Sequence, residues 1–88
     1  MPHRQQAEKF RSFSADYTRE VGGEHYAYVA RFSLGDTISW NADVSQGEVI
    51  KGHLSGSFDR AGFGEPEVVG ALRALIEEEI EALNGIDE

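Results

Sequence analysis

Few side chains in this sequence have the chemistry of a catalytic site, because the chain contains no cysteine and only three histidines. Ser39 and His53 are predicted to be direct neighbours on adjacent strands, with Asp16 on the same face of the sheet. Serine, histidine and aspartate are the residue types of an acyl-transfer site. Acyl transfer also requires an oxyanion hole and a cleft that excludes water, and a flat strand face rich in serine and threonine offers neither. We therefore predict no enzymatic activity and assign no catalytic residue.

The histidines are also poorly placed for a metal ion. His25 is predicted beside a glycine turn, whereas His53 is predicted level with Arg31, about 20 Å further along the sheet. A zinc ion needs its ligands about 2 Å away, so one ion cannot reach both histidines within one chain. We therefore predict neither a metal site nor a cofactor.

Binding is the chemistry that the polar residues of the predicted sheet favour. Polar side chains alternate with apolar ones along the strands, and antiparallel sheets commonly leave their polar face in water. Ala27 and Val29 give that face some apolar content, enough for a second subunit or a partner protein to cover. A plain solvated face is the alternative. The candidate partner-binding residues are Arg31, Ser39, Asn41, Lys51 and His53.

The charge of the chain is strongly acidic and is concentrated near its C-terminus. The formal net charge is −8, and residues 61–88 hold one basic and eight acidic residues. Because nucleic-acid affinity comes mainly from counterion release at lysine and arginine, we do not expect a nucleic-acid partner. Glutamates at the end of a helix also oppose the helix dipole. Glu77, Glu78 and Glu81 are therefore a candidate acidic patch for a basic protein, with a solvated helix face as the alternative.

The Gly22-Gly23 pair supplies the strongest signal for the fold. Apolar residues occupy odd positions before the pair and even positions after it, as two strands joined by a two-residue turn require. Closing the turn at these glycines places Tyr17 opposite Tyr28. Two further strands with the same alternation follow. The four predicted strands cover residues 12–21, 24–34, 37–44 and 48–58.

The loops between the later strands set their predicted register. Three-residue loops at 34–36 and 45–47 keep the even-numbered apolar residues of all three later strands on one face. The resulting register pairs Trp40 with Gly52. Gly52 and Gly56 leave a trough on the core face of the fourth strand, where a neighbouring group can approach closely.

A single helix follows the strands. Apolar residues recur at helical spacing from Val68 onward, Pro66 suits the first turn, and Asn84-Gly85 is a stop signal. The predicted fold class is α+β: a four-stranded antiparallel meander sheet with one C-terminal helix packed on one face. Apolar residues between Phe10 and Val21 also lie near helical spacing, so an α-β-β-β-α order is the alternative.

The domain boundaries and the expected function follow from this organisation. Residues 1–11 are predicted as a flexible N-terminal arm and residues 12–85 as one sheet-plus-helix domain. No segment is apolar enough to span a membrane or to act as a secretory signal, so a cytoplasmic location is expected. We find no motif of a known family.

We expect a small non-enzymatic interaction or accessory module that forms a homodimer or binds a protein partner. The alternative is a small-molecule-binding domain that uses the cleft between sheet and helix. The predicted lining of that cleft is Tyr26, Tyr28, Trp40, Gly52 and Gly56.

Overall fold

The computed structural model describes residues 10–87 and contains four strands followed by one helix. The elements are β1 (Phe10–Thr18), β2 (His25–Ser33), β3 (Thr37–Gln46), β4 (Val49–Asp59) and α1 (Glu65–Ala82). The strands pair antiparallel in the order β1-β2-β3-β4, and α1 packs on one face of the sheet. The predicted α+β meander is therefore confirmed. The α-β-β-β-α alternative is wrong, because its first helix falls on a strand.

The two ends of the described chain are joined to the sheet by main-chain pairing. Most of the predicted arm lies outside the described residues, and its last two residues, Phe10 and Arg11, begin β1. At the other end Ile86 is buried, and Asp87 donates its backbone N–H to the carbonyl of Lys51 at 2.7 Å. Within residues 10–87 no helix is both long enough and apolar enough to cross a membrane.

The turn between β1 and β2 is longer than the predicted two residues. Arg19 donates its backbone N–H to the carbonyl of Glu24 at 2.8 Å, which closes a four-residue turn. This turn ends in Gly22-Gly23, whose φ angles of 100° and 79° lie in the left-handed region that glycine enters without a Cβ clash. Tyr17 consequently pairs with Tyr26, two residues from its predicted partner. A shift of two residues leaves each side chain on its predicted face.

The register between β3 and β4 also differs from the prediction. Trp40 pairs with Gly56 instead of Gly52, and a two-residue turn joins the strands. A bulge interrupts the ladder near this turn, and beyond it Ile50 pairs with Ser45. Opposite residues of a ladder point to the same face, so Ile50 leaves the core face on which the sequence pattern placed it. It is accordingly 53% exposed.

The core lies between α1 and the covered face of the sheet. Val68, Leu72, Ile76 and Ile80 are fully buried and recur at the spacing of one helical stripe. Each large aliphatic side chain buried in this way contributes about 1.5–3 kcal/mol. The buried strand residues are Tyr26, Tyr28, Ala30, Phe32, Ile38, Trp40, Ala42, Val44 and Leu54.

The trough predicted on β4 is filled by the protein itself. A Cβ atom built on Gly56 would lie 3.0 Å from Cζ2 of Trp40, so the indole ring rests on that glycine. Gly52 is covered by the backbone carbonyl of Gly85 and by the side chain of Ile86. Both glycines therefore permit close approach, as their position in a strand suggests.

Alanine at Gly52 is expected to destabilise the fold, whereas alanine at Gly70 is expected to stabilise it. A methyl group at residue 52 meets the carbonyl oxygen of Gly85, a backbone atom that cannot rotate away, so we expect a loss of about 1–3 kcal/mol. An added Cβ on Gly70, within α1, has nothing within 4 Å, and alanine there is expected to gain about 1 kcal/mol. Urea unfolding followed by Trp40 fluorescence measures both, and equal midpoints would contradict the contact at Gly52.

Candidate functional site

The outer face, meaning the face of the sheet opposite α1, carries a connected group of four polar side chains. Arg31 on β2 donates from Nε to Oδ1 of Asn41 at 2.9 Å and from Nη2 to Oδ2 of Asp43 at 3.0 Å. On β4, Nδ1 of His53 lies 2.6 Å from Oδ1 of Asp43. Three of the five candidate partner-binding residues are thus brought together, with Asp43 between them.

Asp43 is the residue of this group that the sequence reasoning missed. Hydrogen bonds from His53 and then from Arg31 hold the pKa of the Asp43 carboxyl below its ordinary value. The group therefore balances its charge internally, although its side chains stay accessible to solvent. The available signal was the position of Asp43 on the strand, two residues from Asn41 and hence on the same face.

The remaining candidates, Ser39 and Lys51, are not part of this hydrogen-bonded group, although Ser39 lines a shallow pocket together with Arg31 and Asn41. Ser39 pairs with Ser57, whereas His53 pairs with Asp43, so the predicted Ser39–His53 neighbour pair is wrong. The four-residue difference between the predicted and observed β3–β4 registers is the cause. Lys51 lies beside the bulge near the start of β4.

Two of the three candidate acidic residues are bound to tyrosines of the sheet. The hydroxyl of Tyr28 donates to Oε2 of Glu77 at 2.7 Å, and that of Tyr17 donates to Oε1 of Glu81 at 2.7 Å. Because these glutamates are one helical turn apart, they project from the same side of α1. Glu78, the third member, is exposed. These two hydrogen bonds therefore attach the C-terminal end of α1 to β1 and β2.

Glu81 also holds the β1–β2 turn. Its carboxylate accepts the backbone N–H of Glu20 at 2.8 Å and that of Val21 at 3.2 Å. Arg19 adds a second link, because its Nε donates to the carbonyl oxygen of Glu81 at 3.1 Å while Nη1 donates to Oε1 of Glu24 at 2.7 Å. The last turn of α1 has no basic residue. Arg19 supplies the positive charge that the C-terminal end of a helix favours.

These contacts keep the tyrosine hydroxyls protonated. The hydrogen bond to Glu81 raises the pKa of Tyr17 to about 12. Burial, followed by the hydrogen bond to Glu77, raises the pKa of Tyr28 to about 12. The contact with Tyr17, followed by the amide of Glu20, lowers the pKa of the Glu81 carboxyl. At neutral pH both tyrosines are therefore donors to carboxylates.

The outer edge of β4 leaves main-chain groups without a backbone partner among the described residues. β4 is an outer strand of the sheet. The carbonyl of Lys51 accepts the backbone N–H of Asp87, which lies outside the sheet. Arg60, in contrast, donates its backbone N–H to the carbonyl of Asp36 at 2.9 Å and therefore points towards β3. Because successive residues of a strand alternate in direction, the odd-numbered residues direct both main-chain groups away from β3. Those residues are His53, Ser55, Ser57 and Asp59.

A cleft of about 330 Å³ lies between the end of α1 and β4, beside this edge. Its apolar lining comes from Trp40, Leu54 and Leu75. Leu75 is 37% exposed, because it projects from α1 towards β4 beyond the buried stripe. The polar lining residues are His53, Ser55, Glu79 and Asn84.

Comparison with known proteins adds no assignment. No family model, curated protein or solved structure matches this chain. Within residues 10–87 no group of three or more histidine, cysteine, aspartate or glutamate side chains is arranged to hold a metal ion. As far as residues 10–87 describe it, the fold is a four-stranded antiparallel α+β domain with one face covered by α1, one face without a covering element and two edge strands.

The tyrosine–glutamate contacts predict a loss of stability at alkaline pH. In the folded chain the pKa values of Tyr17 and Tyr28 rise from 10.0 to about 12. The folded state therefore holds these protons more tightly than the unfolded chain, and the resulting stability is complete below pH 10 and is lost as the pH rises towards 12. Tyr28→Phe removes one titrating group, so its unfolding free energy is expected to fall less steeply over that range. Urea unfolding at successive pH values measures the slope, and a slope equal to that of the wild type would refute the assignment.

The outer-face group predicts a coupled titration. His53→Ala is expected to raise the pKa of Asp43 towards its ordinary value, because it removes the largest contribution that lowers it. Arg31→Ala is the matched variant and is expected to give a smaller shift in the same direction. Carbon-13 NMR of the Asp43 carboxyl measures both. We expect stability to change by less than about 1 kcal/mol, since these are exposed pairs. An unchanged Asp43 titration in His53→Ala would show that the contact does not persist in solution.

Proposed function

We propose that this chain is a small non-enzymatic association module that takes up a strand of another polypeptide at its β4 edge. The observation that carries this proposal is the unpaired edge from His53 to Asp59. When a strand is added at an open edge, main-chain hydrogen bonds supply the affinity, and pockets beside the strand supply the selectivity for particular side chains. The cleft lined by Trp40, Leu54 and Leu75 opens beside this edge and supports that mode of binding.

β4 is better suited to this role than β1, the other edge strand. Proteins commonly protect edge strands with charged side chains, prolines or bulges. β1 carries Arg11 and Asp16, and Arg11 forms an ion pair with Glu65 at 3.3 Å. Between His53 and Asp59, β4 carries five uncharged residues in a row, whereas the run between Arg11 and Asp16 on β1 has four. The longer uncharged stretch therefore lies on β4.

The outer-face group and the acidic helix end are secondary surfaces in this proposal. His53 connects the outer-face group to the β4 edge, so a strand bound there meets an exposed imidazole. Glu77 and Glu81 are engaged with tyrosines, which leaves Glu78 as the accessible member of the acidic patch. The expected partner is a protein, and the expected location is the cytoplasm. The net charge of −8 opposes binding to nucleic acid.

A small molecule is the second candidate ligand, supported by the cleft of about 330 Å³ beside β4. Its volume is at the low end of the range for ligand sites, about 300–1,000 Å³. The lining predicted from the sequence does not form this cleft, apart from Trp40. Tyr26 and Tyr28 are buried in the core, and Gly52 and Gly56 are covered by other parts of the chain.

A peptide with the sequence of residues 53–59 tests strand uptake. We expect the amide signals of His53, Ser55 and Ser57 to shift in ¹H–¹⁵N spectra as a blocked peptide is added to about 1 mM, because these amides gain hydrogen bonds. Ser55→Pro removes one outward N–H and is expected to abolish the shifts.

Ser14→Pro is the matched control for this experiment. Ser14 lies near the middle of β1, and its N–H is directed away from β2 because the odd-numbered neighbours on β1 bond to that strand. We expect this variant to bind the peptide as the wild type does. Absence of shifts in the wild type, or equal loss in the two proline variants, counts against β4 as the site of uptake.

A further inference from the structure

The free part of the β4 edge has defined ends, so two copies that pair antiparallel along its whole length have a single register. At one end Asp87 donates its N–H to the Lys51 carbonyl, so the C-terminal segment already occupies the edge. At the other end β4 stops at Asp59. Residues 53–59 lie between, with Gly56 as their midpoint. We infer that the strand taken up is β4 of a second copy, paired antiparallel with Gly56 on a two-fold axis; this inference rests on the proposed function of the edge.

The directions of the N–H and C=O groups along β4 are compatible with this register. With the axis through Gly56, odd-numbered residues of one copy lie opposite odd-numbered residues of the other, and these are the residues whose N–H and C=O groups point outward. About eight main-chain hydrogen bonds can form across the seam. A slip of one residue would place outward-facing groups opposite groups already bonded to β3. A slip of two residues would leave part of the free edge unpaired.

The polar side chains of this stretch are complementary to themselves about Gly56. His53 lies opposite Asp59 of the partner subunit, which is a basic–acidic pair on the outer face. Ser55 lies opposite Ser57 of the partner subunit, which pairs two hydroxyl groups. Opposite charges and hydroxyl pairs at directly facing positions stabilise antiparallel ladders.

The apolar side chains match in the same register. Leu54 lies opposite Phe58 of the partner subunit on the helix-covered side of the seam. Phe58 is only half-buried within one chain, so this pairing covers apolar surface that is otherwise exposed. An axis normal to the sheet keeps both helices on one side. The clefts beside β4, with Trp40 and Leu75 in their walls, then face each other across the seam.

The acidic charge of the chain opposes dimerisation without preventing it. Each copy has a net charge of −8, of which most lies in residues 61–88 rather than in the paired stretch. At physiological ionic strength, exposed charges separated by more than about 8 Å are largely screened. We therefore expect the dimer to tighten as salt is added.

Register-specific cross-linking of whole chains tests the inference. The chain has no cysteine, so Ser55→Cys and Ser57→Cys each introduce a single thiol on the outer face. In the proposed dimer these two positions face each other at a Cα separation of about 5.5 Å, within reach of a short bis-methanethiosulfonate linker. We expect an equimolar mixture of the two variants to cross-link several-fold more than either variant alone. Ser14→Cys on β1 is the control and is expected to give only background.

Sedimentation equilibrium provides the second measurement. A single strand pair makes a small interface, so the mass is expected to rise from 9.7 kDa towards twice that value between about 1 µM and about 1 mM. Ser55→Pro is expected to stay monomeric, whereas Ser14→Pro dimerises as the wild type does.

The outcomes separate this inference from the proposed function. Greater cross-linking of Ser55→Cys alone than of the mixture would overturn the register centred on Gly56. A monomer at every concentration, with peptide shifts still present at the β4 amides, would overturn self-association while leaving strand uptake intact. A monomer without peptide shifts would overturn both.

Discussion

Burial of one helical stripe against one face of the sheet is the contact on which the rest of this domain depends. α1 offers a single row of fully buried side chains, from Val68 to Ile80, and the buried strand residues all face it. Within residues 10–87 no second layer of secondary structure covers the other face. Every strand must therefore keep its apolar residues on the same side. This requirement leaves the outer face and both edge strands accessible.

The same requirement explains which parts of the fold could be predicted from the sequence. The face of the sheet on which each residue lies follows from the two-residue alternation of apolar and polar side chains, and the predicted face is correct along nearly the whole sheet. The pairing partners were not, because a hairpin can slip by two or by four residues without moving its apolar side chains off the core face. At the β1–β2 turn the register depends on Glu81, which is distant in sequence and accepts the amides of Glu20 and Val21. At β4 a bulge turned Ile50 outward, and a pattern that assumes unbroken alternation cannot detect it.

The candidate sites were predictable to the same extent. Arg31, Asn41 and His53 were placed on the correct face, but their contact through Asp43 required the true register. The row of glutamates was recognised as unfavourable for a helix end. In the structure this cost is offset by tyrosine hydroxyls, turn amides and the guanidinium of Arg19, all contributed by other elements. Hydrogen-bond partners that other elements contribute to the end of a helix leave no periodic pattern in the sequence of the helix itself.

The meander order has a consequence for how the chain reaches this structure. Each strand pairs with its neighbour in sequence, so the sheet is assembled from short-range contacts, which close early because their loops are short. The hydrogen bond between Tyr17 and Glu81 joins residues 64 apart and depends on a formed sheet and a formed helix. We therefore expect side chains at this junction to have low φ-values, so that their removal accelerates unfolding and leaves the folding rate almost unchanged. On this expectation, the contacts between α1 and the β1–β2 turn form last during folding and break first during unfolding.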